Sequence, residues 1–172
     1  MKKILLVTRP ICPPWDEASK NFAYYLAKNL NMFEMYILTN GFIQELPSHI
    51  HQKPIYTSSK LTHLQRLRLL KLRGLLAKID FNILHYMLTP SKLNSFSFKT
   101  FIKNKRAKTI QTIATLREDI LKDNDFKKIL FADLIITYSD YAKNKLNSLG
   151  FKNVKRVYPG IDVELYSPAE KD

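Results

Sequence analysis

Apolar residues along this chain come in short continuous runs, separated by segments where they recur every three or four positions. The runs are Lys3–Thr8 (KILLVT), Phe33–Thr39 (FEMYILT), Phe81–Leu88 (FNILHYML), Thr109–Thr115 (TIQTIAT), Leu134–Thr137 (LIIT) and Val154–Tyr158 (VKRVY). Unbroken apolar stretches of this length mark strands covered on both faces. Between them, Ala18–Leu30 spaces Phe22, Leu26 and Leu30 four apart, which is one stripe of a helix. Leu61–Ile79, Lys92–Lys103 and Asp119–Leu130 read as further helices. Ser139 and Asp140 are candidate caps for a last one, whose stripe is Ala142, Leu146 and Leu149 and whose stop is Gly150. The irregular stretch Phe42–Ser59 leaves room for a short edge strand near Pro54–Thr57. Strands and helices alternate throughout, and that pattern predicts an α/β domain with an open, doubly wound parallel sheet of Rossmann-like type.

One unit carries more than pattern. FADLIITYSDYAKNKLNSLGFKNVKRVYPGIDVELYSP, Phe131–Pro168, holds Ser139, Leu146, Gly150, Pro159, Gly160, Ile161, Asp162, Tyr166 and Pro168 in order. This closely resembles the end of the N-terminal domain in the retaining glycosyltransferases of family four, which have the GT-B fold. There a strand ends in Ser, a helix runs to Leu-x-x-x-Gly, and a strand leads into Pro-Gly-(Val/Ile)-Asp with an aromatic residue before Pro. The resemblance implies that residues 1–172 are one half of a GT-B fold, the acceptor-side domain. It implies transfer of a sugar, with retention and without a required metal or other cofactor, from a nucleotide-sugar to a glycan or lipid-linked acceptor. In the family the donor sits chiefly in a C-terminal domain with paired glutamates. The sequence holds no such domain, so a fragment inactive by itself is expected.

Composition narrows the setting. At 172 residues, 45% hydrophobic and 12% aromatic, the chain is one folded domain rather than a disordered segment. A single cysteine, Cys12, excludes a disulfide framework and suits a reducing compartment. The apolar stretch at the start is too short for a signal peptide, and no run is long enough to cross a bilayer. A cytoplasmic protein is expected, with the inner face of the membrane as a second location. Net charge is +13, a field that favours anionic partners and equally one that merely keeps a protein soluble. Leu61–Ile79 carries no acid and reads either as a basic amphipathic helix for an anionic membrane or as a crossover helix with a basic outer face. No nucleic-acid motif is present, and none of that ligand class is expected. A stand-alone basic module for nucleic acid or a phosphorylated ligand is the alternative.

Ligands of open α/β sheets bind beyond the carboxyl ends of the strands. That rule nominates Arg9–Ser19, His85 and its following loop, Ala114–Glu118, Tyr138–Asp140 and Pro159–Asp162. In the first loop, RPICPPWDEASKN, Asp16 and Glu17 are either first-turn acids that favour the helix dipole or groups that orient an acceptor hydroxyl. Trp15 offers a flat face to a sugar or plugs the loop against the sheet. Family members place glycines here; this sequence has none before Gly41, and Ala18-Ser19 stand in their place. FNILHYMLTP resembles the family strand ending in His, with Asn82 where Asp is usual, and makes His85 a candidate catalytic group or a half-buried one. Ala114 occupies the place of another frequent histidine, and Arg117 is the nearby cation. The expected set is therefore Asp16 and His85 as catalytic groups. Trp15, Glu17, Arg117 and Ser139 are expected at the acceptor, and Ala18, Ser19, Pro159, Gly160 and Asp162 facing the donor cleft. No metal spacing occurs.

Overall fold

The computed structural model describes residues 1–15, 17–44, 46–102 and 106–160. Its centre is a seven-stranded sheet, every neighbouring pair parallel, in the order β3-β2-β1-β4-β5-β6-β7. The strands are β1 (Lys2–Val7), β2 (Phe33–Thr39), β3 (Ile50–Pro54), β4 (Ile83–Tyr86), β5 (Lys108–Ile113), β6 (Leu134–Thr137) and β7 (Val154–Arg156). The chain steps from β1 out to β2 and β3, then crosses back and continues from β4 to β7. Right-handed crossovers put opposite directions of travel on opposite faces.

Side-chain alternation confirms that division. Ile4, Leu6, Met35 and Ile37 pack with Ala23 and Ala27 of helix α1 (Ala18–Asn29) on one face. On the other face, Leu5, Val7, Leu38, Leu84 and Tyr86 pack with Leu69, Leu72, Phe98 and Ile102. Farther along that face, Ile113, Ile135 and Val154 meet Phe126, Ile129 and Leu146 of helices α5 (Asp123–Ile129) and α6 (Asp140–Ser148). The doubly wound parallel sheet expected from the sequence is the fold.

Some boundaries moved, each for a local reason. The edge strand is Ile50–Pro54, not Pro54–Thr57: its polar residues are satisfied at the edge, as when Gln52 bonds both backbone groups of Ile43. The single helix expected over Leu61–Ile79 is α2 (His63–Arg68), a tighter 3₁₀ turn at Leu69–Lys71, and α3 (Leu72–Lys78). The helix after β4 is α4 (Lys92–Ser97), which widens into a π turn at Phe98–Ile102. Helix α5 starts at Asp123 rather than Asp119, because Ile120 and Leu121 turn back onto the Arg117 carbonyl. Gly150 has φ +95°, the left-handed residue that ends α6, and Phe151 N–H closes the turn on the Leu146 carbonyl.

Candidate functional site

Parallel pairing sends the loops after β1, β4, β5, β6 and β7 to one edge. The winding reverses between β1 and β4, so their following loops diverge and leave a crevice there. The loop after β1 folds outward over the end of β2, where Ile11 N–H bonds the Leu38 carbonyl at 2.9 Å. It then returns to the start of α1. Trp15 lies against Tyr24 with ring centroids 4.6 Å apart, and its carbonyl accepts from Asn21 at 3.2 Å. One face of the indole is therefore packed, while the residue stays 38% exposed.

Glu17 occupies the cap position of α1 in extended backbone, but its side chain makes no cap bond. The carboxylate instead accepts from Arg9 Nη1 at 2.8 Å, closing the loop on itself. The first turn of α1 is thus left without a side-chain cap, and Ala18 and Ser19 are exposed beside it. Uncapped amides at a helix start favour an anion. Asp16 lies outside the described residues.

His85 differs from the other candidates. It lies within β4, opposite Leu6 of β1 and Ile110 of β5, and is only 7% exposed. Its Nε2 is 2.7 Å from Thr112 Oγ1 on β5, on the same face of the sheet. Burial lowers its pKa to about 4, so the imidazole is neutral at physiological pH. Its strand ends at the expected edge, yet the ring belongs to the interior.

Arg117 follows β5 and grips Asp119 with two nitrogens, Nε at 2.9 Å and Nη2 at 2.7 Å. That pairing holds the Asp119 carboxyl below its usual range and raises the guanidinium, though both are exposed. Glu118 beside it accepts from Tyr141 Oη at 2.6 Å, and Lys145 reaches Asp123 at 2.9 Å. These contacts knit the β5 loop to α6 around a shallow hollow lined by Glu118, Leu121, Lys122, Asp123 and Asn124.

Ser139 Oγ accepts from Ala142 N–H at 3.2 Å and so caps α6. Its neighbour Tyr138 meets Phe22 of α1, centroids 5.5 Å apart, which brings the first loop's helix against the end of β6. Asp140 pairs with Arg156, whose guanidinium lies 4.2 Å from the Tyr158 ring centroid. Pro159 and Gly160 follow, exposed. Asp162 lies outside the described residues.

The edge therefore carries Trp15, Glu17, Ala18, Ser19, Arg117, Ser139, Pro159 and Gly160, with His85 beneath it. Sequence reasoning placed Arg9 in the nominated loop without giving it a role, and it gave Thr112 none. Arg9 had a signal, a cation directly after a buried strand with acids a short way on. Thr112 had none, because its partner is distant in sequence. Among the described residues no group of three or more His, Cys, Asp or Glu side chains is placed to hold a metal.

No protein-family model and no curated protein matches the sequence. Solved structures do match in fold. The glycosyltransferase from Rickettsia africae ESF-5 aligns over 99% of this chain with a TM-score of 0.61 and 16% identity. HepE from Anabaena, solved in complex with UDP and glucose, aligns over 96% with a TM-score of 0.59 and 14% identity. The chain spans 46% of each of those chains. The fold is one that glycosyltransferase structures share.

Proposed function

We propose that this chain is the acceptor-side half of a retaining GT-B glycosyltransferase. The observation that carries the reading is the crevice edge itself: a winding reversal between β1 and β4, on a fold that matches about half of a glycosyltransferase chain. The other half would hold the nucleotide-sugar donor and close over this edge. Transfer joins an acceptor hydroxyl oxygen to the anomeric carbon of the sugar, while the bond from that carbon to the nucleotide diphosphate breaks and the hydroxyl proton passes to the departing diphosphate. No metal is required in this reading. The acceptor is a glycan or a lipid-linked sugar.

Within that reading, Glu17 accepts from the acceptor hydroxyl, in the orientation that its bond to Arg9 sets, and Asp16 lies next to it. Holding the two reacting groups in register is where most of the rate gain of such a transfer arises. Trp15 gives the sugar its exposed edge, and Arg117 and Ser139 border the acceptor. The uncapped start of α1, with Ala18 and Ser19, faces the donor diphosphate, and Pro159 and Gly160 border the same cleft. His85 acts as a positioning residue by fixing Thr112.

The test is binding and turnover. Calorimetry of residues 1–172 with UDP- and GDP-sugars should detect no micromolar binding. The same residues joined to a donor domain should transfer sugar, in the presence of a chelator, with the anomeric configuration kept. Micromolar affinity of residues 1–172 alone would overturn the assignment of the donor to another domain.

A further inference from the structure

We infer that the hollow between the β5 loop and α6 is a second sugar-binding subsite, which holds a neutral residue of an oligosaccharide acceptor behind the one that reacts. The inference rests on the reading of the crevice edge as the acceptor side and extends it along that edge. Strands β5 and β6 are the first and second neighbours of β4 on the side away from the crevice, about 5 and 10 Å along the sheet. An acceptor chain that presents its terminal hydroxyl at the crevice therefore lays its preceding sugars over the loops that follow these strands.

The lining of the hollow suits hydroxyl groups. It has a volume of about 450 Å³ and is lined by Glu118, Leu121, Lys122, Asp123 and Asn124, within the size range of small-molecule sites. The carboxylates accept hydrogen bonds, Lys122 donates them, and the Asn124 amide does both. A sugar needs that mixture, since each of its hydroxyls donates and accepts. Tyr141 of α6 is 64% exposed, although its Oη donates to Glu118 at 2.6 Å. The ring is thus anchored at both ends, by the backbone of α6 and by the β5 loop. It offers a flat apolar face at little further cost in side-chain entropy. A pyranose is complementary, with an apolar C–H face inside a rim of hydroxyls. Ile120, 65% exposed, adds an apolar surface on the same loop.

Charge narrows the ligand further. Lys145 reaches both Asp123, at 2.9 Å, and Glu118, at 3.8 Å, so that with Lys122 two cations balance the two carboxylates. Arg117 is held by Asp119 in the same loop. The hollow is therefore neutral in a chain whose net charge is +13. Its carboxylates oppose a phosphate or a carboxylate ligand. An aliphatic ligand would meet only Leu121 in the lining. A neutral polyhydroxylated ring satisfies both conditions. An acceptor long enough to reach the hollow is itself the product of an earlier glycosyl transfer.

Amide-resolved NMR titration of the full chain with maltotriose, cellotriose and chitotriose tests this, with glucose as the single-ring comparison. At least one trisaccharide should bind at millimolar concentration and shift the amides of residues 117–124 and 141–145, and glucose should bind more weakly. Tyr141→Ala should weaken the trisaccharide about tenfold or more, whereas Tyr141→Phe, which keeps the ring, should stay within about threefold of the parent. Circular dichroism should show the three proteins folded alike. The proposal is overturned if no trisaccharide binds, if the shifts fall only on residues 9–19, or if Tyr141→Phe weakens binding as much as Tyr141→Ala does. Sugar transfer by residues 1–172 joined to a donor domain separates the subsite from the reading on which it rests. If a trisaccharide binds at the hollow and no sugar is transferred, the subsite stands and the function proposed above falls. If sugar is transferred and no trisaccharide binds, the function stands and the subsite falls.

Discussion

At the amino edge of the sheet, the residue just before each of three strands reaches sideways to its neighbour's backbone. Asn82, before β4, accepts from Lys3 N–H at 2.8 Å. Asp133, before β6, accepts from Thr109 N–H at 2.7 Å and Thr109 Oγ1 at 2.8 Å. Asn153, before β7, donates to the Ala132 and Asp133 carbonyls. At the carboxyl edge the polar side chains mostly pair with one another: Arg9 with Glu17, Arg117 with Asp119, Arg156 with Asp140. Side chain to backbone ties cannot be released without freeing the strand end. Exposed side-chain pairs contribute about 0–1 kcal/mol and can be exchanged for a ligand's groups. The two ends of the same strands are thus built for different tasks, one to hold register and the other to be reorganised.

The largest test concerns His85, which is buried and belongs to neither edge. Its folded pKa is lowered to about 4, so the unfolded chain takes up a proton first as the pH falls through about 6.5. The stability that the neutral ring contributes is whole above that pH and is lost progressively as the pH drops towards 4. The total is roughly 3 kcal/mol. Urea unfolding of the parent and of His85→Gln, compared across that window, isolates the contribution from the carboxylates. Parallel stability curves for the two proteins would return His85 to the solvent-exposed edge.

The amino-edge ties come next. Asp133→Ala strands two donors of Thr109 and should cost about 2 kcal/mol, read as a lower urea midpoint with an unchanged slope. Asn82→Ala, with one such bond, should cost about 1 kcal/mol. If both changes are silent, the amino edge holds register no better than the carboxyl edge does.

What the sequence made legible follows from where each element's partner lies. Phe33–Thr39 and Leu134–Thr137 coincide with the expected strands to the residue, because a doubly covered strand must be apolar along its whole length. The edge strand was misplaced because Ile50–Pro54 carries His51, Gln52 and Lys53, which an outermost strand tolerates and pattern reading does not recognise. Ser139 and Glu17 looked alike as residues at helix starts. Ser139 caps because its partner amide is three residues on, whereas Glu17 is taken by Arg9, eight residues back across a folded loop. Asn82 stood out only as a departure from the family strand, and its side chain serves the amino edge. His85 and Thr112 are 27 residues apart, and only the parallel pairing of β4 and β5 brings them together.

A smaller effect is expected at the one carboxyl-edge candidate whose bond is to backbone. Ser139→Ala removes the cap of α6 and should cost about 1 kcal/mol, while Ser139→Asn should restore most of it. Full recovery of stability without recovery of acceptor KM in the two-domain protein would show a second role at the acceptor.

The smallest expected change in stability is at Glu17, and it bears most directly on the difference between the edges. Glu17 and Arg9 are each about one-third exposed, and their bond replaces water at both ends. Glu17→Gln keeps the shape and one acceptor atom, so the urea midpoint should move by less than about 0.5 kcal/mol. Removing the charge should nevertheless lower transfer by the two-domain protein about tenfold or more, if the carboxylate orients the acceptor hydroxyl. Arg9→Gln should act in the same direction more weakly, since it frees the carboxylate rather than removing it. The two readouts must separate. If Glu17→Gln destabilises the fold as much as Asp133→Ala does, the first loop is a structural clamp like those at the opposite edge. If stability and transfer are both unchanged, the acceptor hydroxyl is oriented elsewhere along the edge, and Glu17 serves only to close its own loop.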